Sequence, residues 1–64
     1  MIVLSNEELY AVLQSAQDQE QGKSGFYNKA NAEEAEDLGL IEVEGAGRIS
    51  LTNMGRERLR LMSS

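Results

Sequence analysis

A chain of 64 residues makes one domain at most, and with no cysteine and no histidine it offers no disulfide, no thiolate metal site and no histidine-ligated zinc. One core of this size rarely supplies more than roughly 3–5 kcal/mol, which leaves tight local signals, oligomerisation or a partner surface as sources of further stability. The net charge of −5 argues against nonspecific attraction of the whole chain to nucleic acid or anionic lipid.

Met1-Ile2-Val3-Leu4 lacks the basic region and long apolar run of a signal peptide. No segment reaches the roughly 20 apolar residues of a membrane span, so the cytoplasm is the expected compartment. Ser5-Asn6-Glu7-Glu8 then fits a capping box, with Ser5 as N-cap and Glu8 reaching back to it. Leu4 and Leu9 complete a hydrophobic staple. Leu9, Val12, Leu13 and Ala16 follow the i, i+3, i+4, i+7 stripe of a helix with one buried face. Gln17 to Gln21 is polar and is expected to fray, and Gly22 stops the helix.

Gly22-Lys23-Ser24-Gly25 reads as a loop. Its Lys-Ser pair lacks the upstream glycine and preceding strand of a phosphate-binding loop. Phe26 to Leu38 has two readings. One continuous helix would place Glu34 inside the apolar stripe of Tyr27, Ala30, Ala35 and Leu38. The favoured reading is a turn or 3₁₀ piece around residues 25–30, then a short helix capped at Asn31 that packs Ala35 and Leu38. Gly39 ends it.

A hairpin follows. Ile41 and Val43 alternate with Glu42 and Glu44, and Ile49 and Leu51 alternate with Arg48 and Ser50. The three-residue loop Gly45-Ala46-Gly47 pairs Glu44 with Arg48, Val43 with Ile49, Glu42 with Ser50 and Ile41 with Leu51. All four apolar side chains then share one inner face, and a one-residue slip would destroy that agreement. Thr52 or Asn53 caps a last helix to about Met62, whose apolar residues are Met54, Leu59, Leu61 and Met62. The expected fold is α+β, ordered helix, helix, β-hairpin, helix, as a single domain over residues 1–64.

The stretch from Ala35 to Leu59 resembles the second half of bacterial winged-helix domains. Leu38-Gly39-Leu40-Ile41 is similar to the step from recognition helix into wing, and Leu51-Thr52-Asn53-Met54-Gly55-Arg56 to the step into the following helix. The resemblance covers about 25 of the 64 residues and implies a trimmed winged helix, since Gly22 to Leu38 is short for the family's two intervening helices. It also implies a recognition helix, where the family places basic and polar residues against the major groove. Here that segment carries Glu33, Glu34, Glu36 and Asp37, which would meet phosphates spaced about 1.7 Å per charge along the duplex axis. Arg48, the arginine of the wing, faces Glu44 and can be neutralised there.

Charge divides along the chain. Residues 1–47 hold ten acids and two bases, whereas residues 48–64 hold four arginines and Glu57. Arg56, Arg58 and Arg60 with Arg48 read either as a phosphate-contacting patch or, with more weight, as helix-dipole complements paired with the acidic first helix. Phe26, Tyr27 and Lys29 are the candidate partner-binding residues, aromatics beside bases being frequent anchors of interfaces; the competing reading packs at least one aromatic into the core. Leu61 and Met62 either extend an apolar strip for self-association or close the core. The four acids of residues 33–37 read as a solvated helix face rather than a cation site. No catalytic residue, metal site or cofactor is expected, and the chain is read as no enzyme.

The leading expectation is a winged-helix-like module acting through protein–protein contact, an accessory or regulatory factor in the style of compact phage- or plasmid-type proteins. The alternative is a homodimeric DNA-binding regulator using Lys23, Lys29, Arg48, Arg56 and Arg58. A third reading is an acidic DNA mimic built on the carboxylates of residues 33–44.

Overall fold

Three helices and a two-stranded antiparallel hairpin make up the chain in a computed structural model that describes residues 5–23, 27–45 and 47–63. The Leu4 half of the staple, Phe26 and Ala46 lie outside the described residues. Helix α1 spans Asn6–Glu20, α2 spans Lys29–Asp37, strands β1 and β2 span Ile41–Glu44 and Arg48–Leu51, and α3 spans Asn53–Ser63. Among the described residues no helix is long and apolar enough to cross a membrane.

The capping box at Ser5 is present in both directions. The Glu8 N–H donates to Ser5 Oγ at 3.1 Å, and the Ser5 N–H donates to Glu8 Oε1 at 3.2 Å. Hydrogen bonds from the Ser5 backbone, the Ser5 hydroxyl and Asn31 hold the Glu8 carboxyl below its ordinary value. From there α1 buries Leu9, Val12, Leu13 and Ala16, the expected stripe. The helix does not fray over Gln17–Glu20, as its polarity suggested. It stays helical to Glu20 because its last side chains are engaged elsewhere in the fold.

Helix α2 starts earlier than expected. Asn28, not Asn31, is its cap: Asn28 Oδ1 accepts from the backbone N–H groups of Ala30 at 2.8 Å and Asn31 at 3.3 Å. Asn31 instead sits one turn inside and donates through Nδ2 to Glu8 Oε2 at 3.2 Å, linking α2 to the start of α1. Ala32 and Ala35 enter the core, while Leu38, expected inside, is 51% exposed.

Both α1 and α2 end in the same way. After α2, the Gly39 N–H reaches the Glu36 carbonyl and the Leu40 N–H reaches the Ala35 carbonyl, a Schellman ending that requires the left-handed conformation Gly39 adopts at φ +80°. Gly22 closes α1 with the equivalent pair of bonds.

The hairpin register is the one the loop length dictates: Ile41 opposite Leu51, Glu42 opposite Ser50, Val43 opposite Ile49 and Glu44 opposite Arg48. Ile41, Ile49 and Leu51 are buried. Val43 is not, at 45% exposure, so the expected inner quartet is a buried trio with its fourth member open. On the outer edge of β2, α1 supplies the missing partners. Ile49 N–H donates to Gln19 Oε1 at 2.9 Å and Leu51 N–H to Glu20 Oε2 at 3.0 Å, which blunts an otherwise open strand edge.

Thr52, rather than Asn53, caps α3. Its Oγ1 accepts from the Gly55 N–H at 3.0 Å and donates to the Gly39 carbonyl at 2.6 Å, while its own N–H donates to the Leu40 carbonyl at 3.1 Å. Gly55 is buried against that same Leu40 carbonyl. Residues 38–41 and 51–56, the two motif-like steps of the sequence, thus clasp each other at the open end of the hairpin. Leu59 closes the core from α3 and Met62 packs beside it, but Met54 and Leu61 are 62% and 60% exposed.

Candidate functional site

Helix α2 presents Lys29, Ala32, Glu33 and Glu36 on one face, at the i, i+3, i+4, i+7 spacing. That face and the tip of the hairpin, with Val43 and Ile49, enclose a groove of about 560 Å³. The groove exists for a steric reason. The core-facing residues of α2 are alanines, which let the helix approach Ile41 closely but leave nothing large enough to cover Val43 two strand pairs nearer the turn. Tyr27 closes one end, its hydroxyl donating to the Gly47 carbonyl. Glu36 Oε2 accepts from the Val43 N–H at 3.4 Å, a long contact that only loosely occupies the outer edge of β1.

Of the candidate partner-binding residues, Tyr27 and Lys29 both line this groove, and Phe26 lies outside the described residues. Val43 was missed by sequence reasoning. Its alternation with Glu42 and Glu44 marks an inner face correctly, but cannot tell how far the core extends toward the turn.

The candidate nucleic-acid residues are not gathered in one place. Lys29 lines the α2–hairpin groove, whereas Arg56 and Arg60 line a different one of about 380 Å³ between α1 and α3. Arg56 pairs with Glu20 at 2.5 Å, as the acidic first helix suggested, and Arg60 pairs with Glu57 within α3. Lys23, Arg48 and Arg58 are exposed on the α1–α2 loop, β2 and α3. Arg48 faces Glu44 in register, but among the described residues no ion pair joins them. On α2, Glu33, Glu36 and Asp37 are exposed. Among the described residues no group of three or more acidic, histidine or cysteine side chains is placed to hold a metal ion.

Glu20 is an electrostatic junction of α1, β2 and α3. Its carboxyl is held below its ordinary value chiefly by the Leu51 N–H; burial opposes this and the Arg56 guanidinium reinforces it. A carboxyl depressed by folding contributes stability above its unfolded pKa and loses it as pH falls through the folded value. The fold is therefore expected to weaken below the ordinary glutamate range. Glu20→Gln keeps an acceptor for Leu51 but cannot titrate, so it should reduce that acid sensitivity. Urea denaturation at a series of pH values tests this, and an identical acid loss in parent and variant would refute the assignment.

Comparison of the chain with protein-family models, with curated proteins and with solved structures returned no match.

Proposed function

We propose that the chain is a small winged-helix-like binding module without catalytic activity, which acts as an accessory or regulatory factor through protein–protein contact. The observation that carries this reading is the α2–hairpin groove, where an exposed Val43 lies over an apolar floor between an acidic helix wall and Lys29. A half-open apolar side chain ringed by unshared charges suits the centre-and-rim layout of a protein interface. The resemblance of residues 35–59 to the winged-helix superfamily supports the architecture, and the clasp of Thr52 and Gly55 on Gly39 and Leu40 gives its two motif steps a physical reason.

The same helix argues against a duplex partner. If α2 entered a major groove as a recognition helix does, Glu33, Glu36 and Asp37 would face phosphates, and Arg56 would first have to leave Glu20.

Two arms test the proposal. Mixed-sequence duplexes at low salt should give no shifted complex on a gel. A protein retained from cell lysate by the immobilised chain should be lost with Val43→Lys, which fills the groove and leaves the circular dichroism unchanged. Tight duplex binding that weakens steeply with salt, alongside no Val43-dependent protein retention, would overturn the proposal.

A further inference from the structure

The exposed face of α3 carries Met54, Glu57, Arg58 and Leu61, the same i, i+3, i+4, i+7 spacing as the groove face of α2. Met54 and Leu61 are among the most exposed large apolar side chains described, and Arg58 lies between them with no ion pair among the described residues. Glu57, by contrast, is already matched by Arg60. This face is apolar with a free guanidinium at its centre.

The α2–hairpin groove is its chemical complement. Val43, Ala32 and Ile49 supply an apolar floor, and Glu33 and Glu36 supply carboxylates that no lysine or arginine neutralises among the described residues. Lys29 stands at the start of α2, one turn before Glu33, and leaves the carboxylates of the later turns for Arg58. Apolar contact beside opposed charges is what fixes the orientation of two helices laid side by side. The charge division of the sequence runs the same way, acids concentrated before residue 48 and arginines after it.

We infer that a second copy of this chain occupies the groove, seating the Met54–Arg58–Leu61 face of its α3 against Val43, Glu33 and Glu36. This rests on the groove being a protein-docking site and names its occupant. Each copy offers one face of an 11-residue helix and one groove, a limited contact that makes the association weak and reversible. Screening of the Arg58–carboxylate attraction makes it weaker in salt.

Sedimentation of the full chain over a concentration series tests the inference. The weight-average mass should rise above one chain as concentration increases, and fall back as salt is raised from about 0.1 to 1 M, where the screening length drops from about 10 to 3 Å. Val43→Lys blocks the groove and Arg58→Glu reverses the helix charge; both positions are exposed, so circular dichroism should confirm that both variants fold. Each should weaken association at least about tenfold, and an equimolar mixture should regain it, because one variant keeps an intact helix face and the other an intact groove.

A wild-type chain that stays a single copy at millimolar concentration overturns the inference, and so does association that Val43→Lys leaves unchanged, which would place the contact elsewhere. If the wild type is monomeric while Val43→Lys still abolishes capture of a lysate protein, the docking function stands and the second copy is excluded as its occupant.

Discussion

Gly55→Ala should destabilise the fold by about 2–3 kcal/mol, a large share of what a core this small supplies. Helix propensity predicts the opposite, since alanine is favoured over glycine by about 1 kcal/mol inside a helix. The geometry decides the sign. A Cβ at residue 55 would lie 1.9 Å from the Leu40 carbonyl oxygen and 3.0 Å from its carbon, with Leu51 Cδ2 at 3.2 Å. The first two obstacles are backbone, held by the Schellman ending of α2 and by the Thr52 N–H, so they cannot rotate aside. Relief requires α3 to lift from the hairpin, which opens the clasp and uncovers Leu59. At about 4–8 °C per kcal/mol for a domain of this size, the melting temperature should fall by about 10 °C or more. Gly45→Ala is the control, because among the described residues nothing beyond its chain neighbours stands within 4 Å of a Cβ there, and it should melt near the parent. A Gly55→Ala protein as stable as the parent would disprove the close approach of α3 to Leu40.

The second large effect separates two neighbours on one strand face. Ile41→Ala should cost about 2–5 kcal/mol, the usual range for truncating a buried isoleucine. Val43→Ala should cost less than about 1 kcal/mol. Both side chains point to the inner side of the hairpin, and both pair with an apolar residue on β2. They differ in what lies above them: Ile41 is 2% exposed, and Val43 is 45% exposed at the groove. Urea unfolding of the two variants measures the difference directly. Equal losses would mean that Val43 belongs to the core and that the groove is closed.

Where the sequence was legible, a local rule and a long-range one agreed. Ser5 and Glu8 form their box because both partners lie within one turn, and the hairpin register follows because a three-residue loop and the apolar alternation select the same pairs. The stripe of α1 was readable for the same reason, four apolar residues on one helical face with nothing competing for them. The start of α2 was not, because Asn31 has the capping-box spacing to Glu34 that Asn28 lacks. What chose between them is the Asn31 contact with Glu8, 23 residues earlier, which no local pattern contains.

Burial was the other limit. Leu38 and Val43 obey the periodicity of their elements yet are exposed, because α2 is short and meets the core through alanines, so that the core is narrower than the apolar pattern, whereas Met54 and Leu61 lie on the side of α3 turned away from the buried Gly55 and Leu59. The polar end of α1 misled in the reverse sense. Gln19 and Glu20 look like a fraying terminus, but they take up the outward N–H groups of Ile49 and Leu51. Of the site, Tyr27 and Lys29 were visible as an aromatic beside a base. Val43, the residue that makes the groove apolar, was hidden in a strand pattern that was otherwise right.

Methyl relaxation by a soluble paramagnetic agent offers the shortest route to the groove itself, since it reads solvent access without any partner. In dilute solution and raised salt, with copies kept apart, the Val43 methyl signals should broaden strongly while those of Ile41 and Ile49 stay sharp. Val43 methyls as well protected as those of Ile49 would mean that no cleft separates α2 from the hairpin tip, and the docking role assigned to it would fail.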